Sequence, residues 1–301
     1  MPAEDRLIKK TNISKVREKD FALLFTENIQ SLVKLLGITR EEKVTAGTVL
    51  KVLKVTGTLQ SGEVAEGEII PLSQYATTYE PIGEAKLDKW RKATSAEAIL
   101  KGGYDQAVTR TNAQLIRDIQ KAIRSKFITF LATGTGTASG AGLQAALADA
   151  WGQLQVKFED DDVQAIYIIN PLDIADYLKK AQITTQNAFG FKYVEDFLGL
   201  GTVIMTSQVE KGKFYATVSG NIVKYAIDVN ESNGLGEAFD FTTDSETGLV
   251  GVHEEGNYQR MQEETVAIAG VDIFAEQLAG VIVGTITAAT SGTEDGDEEG
   301  A

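Results

Sequence analysis

One histidine, His253, stands beside Glu254 and Glu255. These residue types pass protons in general acid–base catalysis. No Gly-x-Ser-x-Gly elbow accompanies them, so the spacing reads as a surface histidine next to two solvated acids. Lys51, Lys54, Lys86 and Lys89 could serve as reactive amines. Solvated lysines that discourage strand edges from pairing are the commoner use of such a pattern. Gly134-Thr-Gly136-Thr-Ala-Ser-Gly140 has the glycine content of a phosphate-binding loop. It follows a helical pattern rather than a strand and lacks the P-loop lysine, so it reads as a flexible joint. Glu159-Asp160-Asp161-Asp162 offers carboxylates to a cation. It lacks the spaced ligands and central glycine of a calcium loop, so it reads as a solvated turn before a buried strand.

The chain has 301 residues and no cysteine. Disulfides, cysteine-bound zinc, iron–sulfur clusters and thiol nucleophiles are thereby excluded. Lys and Arg number 29 against 43 Asp and Glu, a net charge of −14. That balance opposes a broad nucleic-acid surface, which needs clustered positive charge. The first 19 residues carry six basic groups against three acidic ones. They could touch nucleic acid or, equally, an acidic neighbour. No apolar run approaches the ~18–20 residues of a membrane span, and residues 1–19 contain no apolar signal core. The expectation is a product made in the cytosol, with no enzyme site, no metal and no cofactor.

The elements must therefore carry the function. Residues 1–19 show no apolar period and predict an extended arm. Asp20 reads as the N-cap of a helix whose stripe is Phe21, Phe25, Ile29, Leu32 and Leu36, stopped by Gly37. From 46 to 92, β-branched residues interrupted by Gly57, Gly62 and Gly67 predict a long two-stranded arm with a polar tip. A lone hairpin is marginal in water. Tyr75, Tyr79 and Trp90 on it need a surface to pack on, either in the same chain or in a neighbouring subunit. Thr94-x-x-Glu97 fits a capping box. Tyr104 to Leu131 predicts a helix about 42 Å long, with Val108, Leu115, Ile119, Ile123, Phe127 and Leu131 on one face. It bears a charge of +3, whereas residues 231–264 carry −8.

Beyond the glycine joint, a helix is expected over Leu143 to Gln155 and a buried strand over Val163 to Ile169. Asn170-Pro171 reads as N-cap and first residue of a helix reaching Ala181. Strands are expected at Thr202–Met205, Phe214–Val218, Ile222–Val229, Thr265–Phe274 and Val281–Thr287. The acidic tail, Ser291 to Ala301, is expected to be disordered and dispensable. Projections without their own core argue for obligate oligomerisation.

This order resembles a tailed-bacteriophage major capsid protein of the Hong Kong 97-like fold, over nearly the full length. The residues that carry the resemblance are Thr94-Ser95-Ala96-Glu97-Ala98-Ile99-Leu100-Lys101-Gly102-Gly103-Tyr104 leading into the long helix, and Ala165-Ile166-Tyr167-Ile168-Ile169-Asn170-Pro171-Leu172-Asp173. Val194-Glu195-Asp196-Phe197-Leu198-Gly199, Val203-Ile204-Met205-Thr206-Ser207 and Gly212-Lys213-Phe214-Tyr215-Ala216-Thr217 complete it. The resemblance implies an α+β fold: an N-terminal arm over 1–45, an extended loop over 46–94, and a peripheral domain with a spine helix over 95–139 and 229–265. An A-domain over 140–228 and 266–288 and a tail over 289–301 would follow.

It also implies a structural shell protein that self-assembles as hexamers and pentamers around double-stranded DNA, without sequence-specific binding and without a membrane. Scaffolding, portal and decoration proteins would be its partners, and the virion its location. A net-negative shell would avoid gripping the genome. Some relatives carry a scaffolding segment before the arm; here it would be separate or removed. Tyr75, Tyr79, Trp90, Lys51 and Lys54 are the expected subunit-interface residues. No local motif picks out a Lys–Asn crosslinking pair. An encapsulin-like compartment shell shares the fold and remains the alternative.

Overall fold

The computed structural model describes residues 10–38, 40–159, 163–179, 186–188, 191–229, 235–243 and 248–287. In chain order the elements are helix α1 (Lys10–Leu35), strands β1 (Arg40–Lys43), β2 (Val49–Thr58), β3 (Gln74–Glu84) and β4 (Asp88–Ser95), then helices α2 (Ala96–Gly102) and α3 (Arg110–Leu131). Next come β5 (Gly136–Ala141), α4 (Leu143–Lys157), β6 (Ala165–Ile169), α5 (Pro171–Leu178), β7 (Gln186–Ala188), β8 (Phe191–Val194) and β9 (Thr202–Met205). The chain then runs through β10 (Lys213–Val218), β11 (Ile222–Ala226), α6 (Leu235–Ala238), β12 (Thr242–Thr243), β13 (Val250–Asn257), β14 (Gln262–Ala269), β15 (Val271–Ala275) and β16 (Ile282–Thr287). It is a mixed helix-and-sheet fold. No described helix is long and apolar enough to cross a membrane.

A seven-stranded mixed sheet, ordered β5-β16-β10-β6-β9-β8-β7, forms one layer. Its central strand β6 is buried at all five positions. Successive side chains of a strand point to opposite faces. Ile166 and Ile168 therefore join the core made with α1 and α3, while Tyr167 and Ile169 join the core under α4. Asn170 caps α5 by accepting from the Leu172 amide at 2.9 Å, and its Nδ2 donates to the Val209 carbonyl at 2.7 Å. The second sheet, β12-β13-β14-β4, lies against α1 and α3. On α3 the stripe Ile116, Ile119, Ile123, Phe127 and Leu131 is buried, as a 3.6-residue period requires.

Several expectations are corrected. Helix α1 is already helical at Lys10, so residues 10–19 are not an extended arm and Asp20 lies inside the helix. The physical reason is tertiary: Arg17 and Glu18 find partners on the second sheet (below), which carries the helix through a stretch with no apolar period. The cap of α2 is Ser95, whose hydroxyl accepts from the Ala98 amide at 3.2 Å. Thr94 is instead buried and donates to the Ala107 carbonyl. The long helix opens with a π turn over Asp105–Thr109 before α3 proper.

The glycine joint is strand β5, paired in parallel with β16. A Cβ on Gly140 would come within 2.3 Å of the Ala146 amide nitrogen of α4. The glycines thus serve close approach between helix and strand rather than looseness. The expected strand Thr265–Phe274 is two strands, β14 and β15, in different sheets, divided at Gly270. Ile227 packs against Gly270 where a Cβ would come within 2.5 Å. The acidic stretch after 231 contains β13, which pairs along its whole length with β14. The residues of the tail, 288–301, and those of the first nine positions lie outside the described residues.

Candidate functional site

Strands β2 and β3 pair only with each other among the described residues, from Val49↔Glu84 to Thr58↔Gln74. The base of this hairpin is anchored: Leu50 and Ala85 are buried with Val223, Tyr225 and Ile227. The Phe274 ring lies against Gly83, and a bulge falls between Leu50 and Lys51. Beyond the base the support stops. Every residue of β3 from Gln74 to Pro81 is exposed. Tyr75 is 59% and Tyr79 69% exposed. The Tyr75 ring lies over Gly57, the facing residue, filling space that a side chain at 57 would occupy.

The tip is polar, as expected, with Gln60, Ser61, Glu63, Glu66 and Glu68 exposed, but large apolar side chains are exposed beside them. Ile69 is 94% and Leu72 92% exposed, and Leu59 and Ile70 are also exposed. The signal was present as Ile69-Ile70-Pro71-Leu72. Together Leu59, Ile69, Ile70, Leu72 and the two tyrosines are exposed apolar side chains with no layer beneath them among the described residues. Exposed patches of this kind mark interaction sites.

Trp90 does not belong to this surface. It sits on β4 opposite Ala267 of β14 and packs on the chain's own core, because β4 turns away from the hairpin into the second sheet. Lys51 is exposed on the hairpin; the Lys54 side chain lies outside the described residues. Lys89 is exposed on β4, and Lys86 pairs with Glu84 at 3.1 Å.

His253 faces the Asp240 carbonyl through Nδ1 at 3.2 Å and Glu255 through Nε2 at 3.5 Å. No further side-chain contact of His253 is seen among the described residues. Asp160 to Asp162 lie outside the described residues. No cluster of three or more metal-binding side chains occurs among the described ones.

Charged groups do meet in the interior, under the first turns of α1. Arg17 approaches Glu254 at 3.3 Å and Glu263 at 3.9 Å, and its guanidinium stacks 4.7 Å from the Tyr104 ring centre. Glu18 accepts from the Glu254 amide at 2.7 Å. Asn112 of α3 donates to Glu254 at 2.5 Å, and Lys92 donates to Thr111 at 2.7 Å and to the Val108 carbonyl at 3.2 Å. Burial pushes the Glu254 carboxyl up, with the neighbouring Glu263 and Glu18 adding to it against Arg17 and Asn112. Burial also lowers the Lys92 ammonium. This network joins α1, α3, β4, β13 and β14. It ties these elements together through side-chain contacts, with Arg17 Nε and Glu254 Oε2 buried without a hydrogen-bond partner among the described residues.

No family model and no curated protein matches this chain. Solved structures do. A chain of Gordonia phage Cozz superposes with a TM-score of 0.55 at 12% identity, covering 86% of this chain and 87% of its own. The capsid of an empty GTA particle gives 0.52 at 13%, covering 96% and 95%. The SrpI encapsulin of Synechococcus elongatus gives 0.52 at 13%, covering 86% and 88%. At identities this low the likeness establishes a shared fold.

Proposed function

We propose that the chain is a structural major capsid protein that self-assembles into a closed shell enclosing phage DNA. The observation that carries the reading is the hairpin of β2 and β3. Its exposed Leu59, Ile69, Ile70, Leu72 and tyrosines have no layer beneath them among the described residues, in a fold shared with a GTA capsid and an encapsulin. Hydrophobic surface of this extent gains free energy when covered, and a symmetric assembly of identical chains supplies the cover at every copy. In this reading residues 1–45 act as the arm, 46–94 as the extended loop and α3 as the spine. Residues 95–139 with 229–265 form the peripheral domain, and 140–228 with 266–288 the A-domain. Tyr75, Tyr79, Lys51 and Lys54 would contact a neighbouring subunit. Trp90 would act indirectly, by fixing the sheet from which the hairpin springs. Scaffold, portal and decoration proteins would be partners, with synthesis in the host cytoplasm and residence in the virion.

The encapsulin match supports a second reading, a compartment shell holding protein cargo. Light scattering and electron microscopy of the purified protein at micromolar concentration test both. Hexamers, pentamers or shells are expected, and a stable, monodisperse monomer would overturn both readings. Nuclease-protected DNA inside particles made in the native host supports the phage reading, and a stoichiometric enzyme cargo supports the other.

A further inference from the structure

A second feature lies apart from the hairpin. A concavity of about 230 Å³ is lined by Lys121 and Arg124 of α3, Lys192 of β8, Met205 at the end of β9, and Ser207 and Gln208 just beyond it. Lys121 and Arg124 are three residues apart, so they share a helix face. Among the described residues the lining holds three cations and no carboxylate, on a chain whose net charge is −14. Lys121 and Lys192 are exposed and make no ion pair among the described residues. Arg124 is half-buried over the Phe191 ring, 5.0 Å from its centre, and its desolvation lowers its pKa.

The sheet register places a polyanion within reach. Gly284 pairs with Phe214, Phe214 with Ile169, Ile169 with Met205 and Met205 with Lys192, one row across five strands. Strands β16, β6 and β9 run in the same direction. Thr287 therefore leaves the sheet at the end where Thr206, Ser207 and Pro171 form the concavity. Four strand spacings of ~4.8 Å separate Gly284 from Lys192, about 19 Å. Glu294, Asp295, Asp297, Glu298 and Glu299 follow Thr287 in sequence. Glu294, seven residues on, reaches about 23 Å in extended chain.

We propose that Lys121, Arg124 and Lys192 are the docking site of the acidic segment Glu294–Glu299 of the same chain. The tether holds those carboxylates at an effective concentration in the millimolar range, which an untethered anion must match to compete. The segment thereby covers the basic concavity on an otherwise acidic molecule.

Carbodiimide coupling on the full chain tests this, since it joins a carboxylate to an amine only where they touch. Amide links from residues 294–299 to Lys121 or Lys192 are expected. The Asp176 contacts to Lys179 at 2.7 Å and Lys211 at 3.0 Å serve as internal control. Control links without tail links overturn the proposal, and so do links found only between isotopically distinct chains in a mixed sample. The exposed double variant Lys121→Glu, Lys192→Glu should be cut by a glutamyl endopeptidase after Glu294 about tenfold faster than wild type, the equivalent of about 1.4 kcal/mol. An unchanged rate overturns it. Neutralising the five acids should raise acetylation of Lys121 and Lys192. If a short DNA duplex instead shields these lysines equally with the acids present or neutralised, the concavity is a phosphate site and the proposal falls.

Discussion

Strands β6 and β3 have the same backbone geometry and opposite surroundings. All five residues of β6 are buried between α4 on one side and α1 with α3 on the other. Strand β3 runs eight consecutive exposed residues with one hydrogen-bonded partner and no layer on either face. Strand β6 is paired on both edges, by β10 and β9, whereas β3 is paired on one, by β2, among the described residues. The larger difference is burial of apolar surface, the dominant favourable term in folding. The comparison teaches that a regular element can be locally complete and energetically unfinished. Strand β3 has no such layer among the described residues, whereas that of β6 is built in.

The largest effect is expected where the built-in layer is attacked. Replacing Ile123, buried on α3 at 4% exposure, with Asp would place an unpaired charge in the core. A loss on the order of 4 kcal/mol or more is expected, enough to threaten folding. Soluble yield and thermal melting by circular dichroism check it, and wild-type behaviour would break the comparison by showing that this face is not a layer.

Removing residues 59–73 and closing Thr58 to Gln74 with Asn-Gly attacks the other region. The unassembled subunit should keep its helix content and melt within about 2 °C of wild type, since surface changes away from the core cost within ~0.5 kcal/mol. Shell formation should fail or yield fragile particles in electron micrographs. Normal particles would show that the tip contributes no assembly contact.

A finer test concerns the polar part of the buried layer. The folded-state pKa of Glu254 is raised above its ordinary value of 4.5, first by burial and then by Glu263 and Glu18. The folded state thus binds the proton more tightly than the unfolded chain. The stability this confers is fully present below pH 4.5 and is lost as pH climbs through the raised value. Glu254→Gln escapes that loss. Its melting temperature relative to wild type should therefore become more favourable between pH 4 and pH 7. A constant difference across that range would mean that Arg17 compensates the carboxylate fully.

Much of the frame was legible in the residues. The stripes of α1 and α3, the strand-Asn-Pro-helix step at 165–178 and the hairpin's lack of a core all follow from period and capping chemistry. The candidate surface was half legible. Tyr75 and Tyr79 were visible as aromatics on a long arm, but Ile69, Ile70 and Leu72 were not recognised as its exposed tip. Trp90 was assigned to the arm because nothing local marks the turn at which β4 leaves it. Its true partner, Ala267, lies far along the chain.

Sequence alone determined the local terms. These are where apolar side chains recur, where Asn170 and Pro171 start a helix, where Gly37 stops one, and that a cysteine-free chain with one histidine holds no disulfide and no multi-histidine site. Tertiary structure decided everything that depends on meeting a distant residue. Arg17 and Glu18 keep α1 helical through Lys19 because Glu254 and Glu263 wait on another sheet. Gly140 is a strand residue because α4 packs against it. Lys192 stands in one row with Gly284 because four intervening pairings align them. Propensities act over a few residues. Burial, charge pairing and register act through space, and no window along the chain contains them.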